Sequence, residues 1–171
     1  RNRNGRESDE VALIDREAVL GFGNTPERES SYSEVAETLQ PLRAAFNFQG
    51  KKVRRELDLI GIHRNTGELC LVEIKHSETS GDEIAGAPWQ LLFYVSAWKR
   101  ALAPETGAGL GTAINNLISC KKTLGALPVS VSLFSEKDIR LAPYLLMNQR
   151  ARSEDVYDQL TVSLRAVNGY L

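Results

Sequence analysis

Three side chains in the middle of the chain have the types and spacing for metal-dependent chemistry: Asp58, Glu73 and Lys75. They lie in Arg55-Glu56-Leu57-Asp58-Leu59-Ile60 and Leu71-Val72-Glu73-Ile74-Lys75, segments that otherwise read as apolar strands. Charges inside such strands run against strand preference, and conflicts of that kind are expected at functional sites. Side chains alternate faces along a strand, so Leu69, Leu71, Glu73 and Lys75 share one face and Cys70, Val72 and Ile74 the other. Between the strands, Arg64-Asn65-Thr66-Gly67 has turn composition, with Gly67 suited to positive φ. With His63 opposite Glu68, counting back along both strands brings Asp58 opposite Glu73. A two-residue loop at Asn65-Thr66 gives the same register.

Facing residues of an antiparallel pair have Cβ atoms about 4.5–5.5 Å apart. Two carboxylates so placed repel unless a cation lies between them. Hard oxygen donors with no neighbouring Cys or His suit Mg²⁺ or Mn²⁺ rather than zinc. An odd loop without a bulge would put the two carboxylates on opposite faces. The same residues also read as a surface Glu73–Lys75 ion pair with Asp58 as an edge charge. Gln90 and Tyr94 stand at i and i+4 and share a helix face; by themselves they read as an amphipathic rim, with Tyr94 half buried beside Trp98.

These residues need elements to hold them, and the sequence predicts several. Residues 53–63 and 68–75 read as a β-hairpin. Pro88 to Leu102 reads as a helix with Pro88 at its first position, and Gly111 to Leu124 as a second one closed by Gly125. Val129 to Leu133 alternates as a half-buried strand does, and Ile139 to Met147 reads as a further strand interrupted by Pro143. Ser31-Tyr32-Ser33-Glu34 has capping-box form, followed by a stripe of Val35, Leu39, Leu42 and Phe46; Pro41 delays or kinks that helix. Ser153 caps a final helix with Val156, Leu160, Leu164 and Val167 on one face. Residues 1–30 read as a polar arm or linker in which Asp9 to Leu20 form a short helix, and 31–171 as one folded domain.

Taken together, E-L-D-L-I-G-I and L-C-L-V-E-I-K resemble the two core strands of PD-(D/E)xK nucleases, and Q-L-L-F-Y resembles the accessory motif of RecB-like members. The resemblance spans roughly residues 31–134. It implies an α/β (α+β) fold of restriction-endonuclease-like type, a mixed β-sheet flanked by helices. It implies that Asp58 and Glu73 bind the metal with the backbone carbonyl of Ile74. Lys75 would orient the attacking water and stabilise negative charge, and Gln90 and Tyr94 would position the site or the substrate. The reaction would be phosphodiester hydrolysis with Mg²⁺ or Mn²⁺ as cofactor, on DNA rather than RNA, in repair, restriction or defence. A further acid often comes from the first helix in this family, and Glu34, on the flank of the apolar stripe, fits better than Glu37, although its capping-box role competes. The sequence departs from the family in showing no clear strand between the first helix and Val53; Phe46 to Lys51 is the nearest candidate.

The remaining composition bounds the alternatives. At 171 residues the chain is large enough to bury a core. An apolar fraction of 42% and a charged fraction of 25% are ordinary for a globular protein, and no apolar run reaches the roughly 18 residues a membrane helix needs. Cys70 and Cys120 are far apart, with Cys70 read as a small buried hydrophobe; this suits a reducing, cytoplasmic setting. The net charge of -1 argues against a broadly basic coat. Local clusters (Lys51, Lys52, Arg54 and Arg55; Lys99 and Arg100; Lys121 and Lys122) read as solvated faces, or as phosphate contacts if the fold gathers them. The chain begins at Arg1, consistent with processing or a larger parent protein, and a homodimer is a further possibility. The competing functions are a catalytically silent module that binds nucleic acid or a protein, and an assembly domain using Trp89, Phe93 and Trp98 at an interface.

Overall fold

The computed structural model describes residues 10–20, 25–45, 56–76, 78–103, 109–132, 139–147 and 154–170. Its elements follow the order β1 (Val11–Val19), α1 (Thr25–Ala45), β2 (Glu56–His63), β3 (Leu69–Lys75), α2 (Gly81–Leu102), α3 (Leu110–Thr123), β4 (Leu141–Met147) and α4 (Glu154–Val167). The strands form one mixed sheet in the order β1-β2-β3-β4. β2 is antiparallel to both β1 and β3, and β4 runs parallel to β3. The α/β expectation therefore holds at the level of a mixed sheet with helices.

The hairpin forms as its turn chemistry dictates. His63 donates its backbone N–H to the Glu68 carbonyl at 2.9 Å, Gly67 donates back to His63 at 2.8 Å, and Gly67 has φ 64°. Leu57, Ile62, Leu69 and Leu71 are fully buried, each contributing about 1.5–3 kcal/mol relative to exposure. α2 lies on β3 and β4, and α1 and α4 pack against it from elsewhere. A helix that is apolar on nearly all sides must be buried, and Trp89, Phe93 and Trp98 are at most 8% exposed. These three rings belong to the chain's own core, so they are not the interface considered from sequence.

Several expectations are corrected. Asp9 to Leu20 is not a helix: Val11–Val19 is edge strand β1, in register with β2 from Val11↔His63 to Val19↔Glu56, with an irregularity between Leu13 and Asp15. Its Glu, Ala, Leu and Arg content favours helix locally, but pairing along β2 buries Ala12 and Ile14. The sheet thus begins within the segment read as an arm. It also supplies β2 with an antiparallel neighbour from before α1 rather than after it. Gly61 permits this approach, since a Cβ there would sit 2.7 Å from Val11 Cγ1 and 3.0 Å from the Ala12 carbonyl oxygen.

α1 starts at Thr25, so Ser31 to Glu34 lie inside the helix and form no N-terminal box. α2 starts at Gly81, not Pro88: Ser80 is its N-cap and its hydroxyl accepts from the Glu83 N–H at 3.3 Å. Residues 129–132 make turn and irregular structure, with Val129 exposed and Val131 buried. β4 tolerates Pro143 because it is an edge strand. On α4 the buried stripe passes through Leu160, Ser163 and Val167, and Leu164 is exposed. Phe46 to Lys51, the basic residues at 51–55, Leu133 and Ser153 lie outside the described residues. Among the described residues no helix is long and apolar enough to cross a membrane.

Candidate functional site

The expected hairpin register is the one observed: Ile62 pairs with Leu69, Gly61 with Cys70, Ile60 with Leu71 and Leu59 with Val72. Asp58 and Glu73 occupy the next position. There the two strands part, since the β2–β3 ladder ends at Leu59↔Val72 while β2 stays with β1 as far as Glu56 and β3 with β4 as far as Lys75. Asp58 spans the opening with its side chain, and Oδ2 accepts the Ile74 backbone N–H at 2.6 Å. A charged acceptor makes this a stronger link than the ladder bond it stands in for.

Glu73 is 2% exposed. Its Oε1 accepts from Lys75 Nζ at 2.5 Å, the pair that alternation along β3 brings to one face. The surface ion-pair reading is therefore corrected to a buried one. Lys75 Nζ also donates to Gln90 Oε1 at 3.0 Å. Gln90 Nε2 donates to the Tyr94 hydroxyl oxygen at 2.9 Å, and the Tyr94 hydroxyl donates to the Glu56 carbonyl at 2.5 Å. One turn of α2 thus connects the end of β3 to the start of β2. Burial pushes the Tyr94 phenol up from its ordinary value. The hydrogen bond from Gln90 opposes this, and the negative charges of Glu73 and Asp58 reinforce it.

Asp58, Glu73, Ile74, Lys75, Gln90 and Tyr94 are thus brought together. Glu34 is not. Its carboxylate pairs with Arg100 and accepts from Ser30 Oγ at 3.1 Å. Arg100 lies roughly 15 Å along α2 from Gln90 at about 1.5 Å per residue. The structure therefore places Glu34, on α1, with Arg100 near the end of α2 rather than with the group around Lys75. Glu37 and His76 are exposed, as is the Glu56 side chain. The Glu56 carbonyl is the functional group that sequence reasoning missed, since a backbone acceptor leaves no residue-type signal. Asp58 and Glu73 are the carboxylates a cation could bridge; among the described residues no third Asp, Glu, His or Cys completes a ligand group. No protein-family model, curated protein or solved structure matches the chain.

Proposed function

We propose that the chain is a metal-dependent nuclease of the PD-(D/E)xK type that hydrolyses phosphodiester bonds, with DNA as its expected substrate. The observation that supports this most is the single hydrogen-bonded group joining Glu73, Lys75, Gln90 and Tyr94 beside Asp58. The donor chemistry suits a hard cation: two carboxylates just beyond the last paired rung of β2 and β3, and a strand carbonyl, with no thiol or imidazole among them. Asp58, Glu73 and the Ile74 carbonyl would hold Mg²⁺ or Mn²⁺, which when bound supplies an acidified water and charge stabilisation on the transferring oxygens.

The chain's own residues supply the rest. Lys75 is a positive charge fixed by two acceptors, with its side chain 11% exposed. It is placed to orient a water and to stabilise negative charge developing on phosphate oxygens. The low local dielectric around Glu73 strengthens every such interaction.

A second reading is favoured by the ion pair itself. Lys75 already supplies a counter-charge to Glu73, and a site so neutralised suits a module that binds nucleic acid or a protein without cleaving. Calorimetric titration with Mg²⁺ and Mn²⁺, joined to cleavage assays of wild type, Asp58→Asn and Glu73→Gln, separates the two. The nuclease reading expects metal binding and cleavage that both substitutions abolish. A folded wild type that binds neither metal and cuts no substrate contradicts it.

A further inference from the structure

The strand β4 carries Leu141-Ala142-Pro143-Tyr144-Leu145-Leu146-Met147, a run without a charge. A sheet edge offers unpaired backbone groups to another chain, and proteins block it with charges, bulges and irregular backbone. The two edges of this sheet differ in that respect. β1 carries Asp15, Arg16 and Glu17, an irregularity between Leu13 and Asp15, and a left-handed φ of 52° at Glu17. β4 has only Pro143 to set against pairing, and its Leu146 is 49% exposed.

The ladder fixes which groups of β4 point outward. Leu69 donates its N–H to the Arg140 carbonyl at 2.9 Å, and Leu69 lies opposite Leu141 in the parallel pairing of β3 with β4. Backbone polar groups alternate sides along a strand, so Ala142, Tyr144 and Leu146 turn theirs to β3. Leu141, Pro143, Leu145 and Met147 turn theirs away from the sheet. Pro143 therefore takes no bond out of the ladder. The outward groups are the carbonyls of these residues and the N–H groups of Leu141, Leu145 and Met147.

We infer that β4 pairs antiparallel with β4 of a second copy of the chain, about a two-fold axis at Tyr144, so that two sheets join into one. A two-fold contact must be self-complementary, and an uncharged strand sets no like charges against each other. In this register Leu141 meets Met147 of the second copy, and Leu145 meets its Pro143. Every outward N–H then finds a carbonyl, and only the Leu145 carbonyl lacks a donor, because it faces the proline. An axis at Pro143 would set two donorless residues against each other. An axis at Leu145 would leave the Leu141 N–H without a partner inside the strand. On the face that Ala142, Tyr144 and Leu146 share, Tyr144 meets Tyr144 and Leu146 meets Ala142, apolar cross-strand contacts that cover the exposed leucine. Glu73 lies opposite Leu145. With strands about 4.8 Å apart and about 3.3 Å per residue, the two Glu73 positions fall roughly 16 Å apart on one face of the joined sheet. The pairing stands on β4 alone and does not depend on the nuclease reading.

The test is sedimentation velocity of the whole chain from micromolar to several hundred micromolar. The wild type shows a reversible monomer–dimer equilibrium and nothing larger, because the β1 edge is blocked. Leu145→Pro deletes an outward N–H in each copy and keeps every bond to β3. It raises the dimer Kd by about tenfold or more, the worth of two hydrogen bonds. Leu13→Lys, on the exposed part of β1, leaves the Kd unchanged. A cross-link reads the register. Tyr144→Cys in a Cys70→Ala, Cys120→Ala background brings the introduced thiols to facing positions outside the hydrogen-bonded pairs. Their Cα atoms lie about 4.5 Å apart, within the reach of a disulfide. Mild oxidation then yields covalent dimer, whereas Leu13→Cys in the same background stays a single chain. Should Leu145→Pro not fold, as judged by circular dichroism, the cross-link decides. A wild type that stays monomeric throughout the range overturns the inference. So does growth beyond a dimer, a folded Leu145→Pro that associates like the wild type, or failure of the Tyr144→Cys chain to cross-link.

Discussion

Replacing Lys75 with methionine keeps an unbranched stem and deletes the charge, so Glu73, at 2% exposure, loses the Lys75 ammonium. Breaking a buried pair from one side costs about 3–5 kcal/mol. The Lys75 side chain is 11% exposed and that of Glu73 3%, so solvent screening discounts this little. At about 2–4 °C per kcal/mol for a chain of this size, Tm falls by roughly 6–20 °C. Glu73→Gln in the same background leaves no buried anion, so the double variant is more stable than the sum of the two single effects, by about 0.5–3 kcal/mol of coupling. The account further expects millimolar Mg²⁺ to raise Tm more in Lys75→Met than in the wild type, because the cation then serves two carboxylates with no competing ammonium. Binding at a hundredfold above Kd stabilises by about 2.7 kcal/mol. Adding Asp58→Asn should abolish that gain. Thermal denaturation of the wild type and these variants with EDTA or Mg²⁺ is the assay. A drop of less than about 2 °C for Lys75→Met, or strict additivity with Glu73→Gln, refutes the reasoning.

Other consequences follow from particular contacts. Gly61→Ala forces a Cβ against Val11 and the Ala12 carbonyl and should destabilise by about 1–3 kcal/mol, read as a lowered denaturation midpoint; an unchanged midpoint would show that β1 yields freely. Burial pushes the Cys70 thiol up from 9.0 to about 11. A folded-state value above the unfolded one gives stability that is fully present below about pH 9 and is lost as pH rises through about 11. Chemical denaturation across that window should show a decline that flattens in Cys70→Ala. Cys120 is exposed and Cys70 buried, so a thiol reagent should modify Cys120 in the native chain and Cys70 only on unfolding; rapid reaction of both would contradict the buried placement.

The legible part of this structure was the part governed by local rules. Turn composition and the positive φ of Gly67 set the hairpin register as far as Leu59↔Val72, and Asp58 and Glu73 follow one position beyond that last pair. Helical periodicity put Gln90 and Tyr94 on one face. What escaped was set by distant partners. Val11–Val19 has helix-favouring residues and becomes a strand only because β2 offers it an edge. The start of α2 was hidden by Pro88, although Ser80 and Glu83 carried the capping pattern in plain view. Glu34 was drawn away by Arg100, a pairing between two helices that one-dimensional spacing does not encode. The divergence of β2 and β3 beyond Leu59 and Val72 was equally invisible, because it depends on each strand following a different outer neighbour.

The most direct measurement is cleavage of end-labelled single-stranded DNA, double-stranded DNA and RNA by the purified chain in EDTA, Mg²⁺ or Mn²⁺, with Lys75→Met run beside the wild type. The account predicts cutting of DNA that requires the metal and is lost in Lys75→Met at a temperature where that variant remains folded. Cutting that persists in EDTA, or that a folded Lys75→Met retains at the wild-type rate, would contradict it.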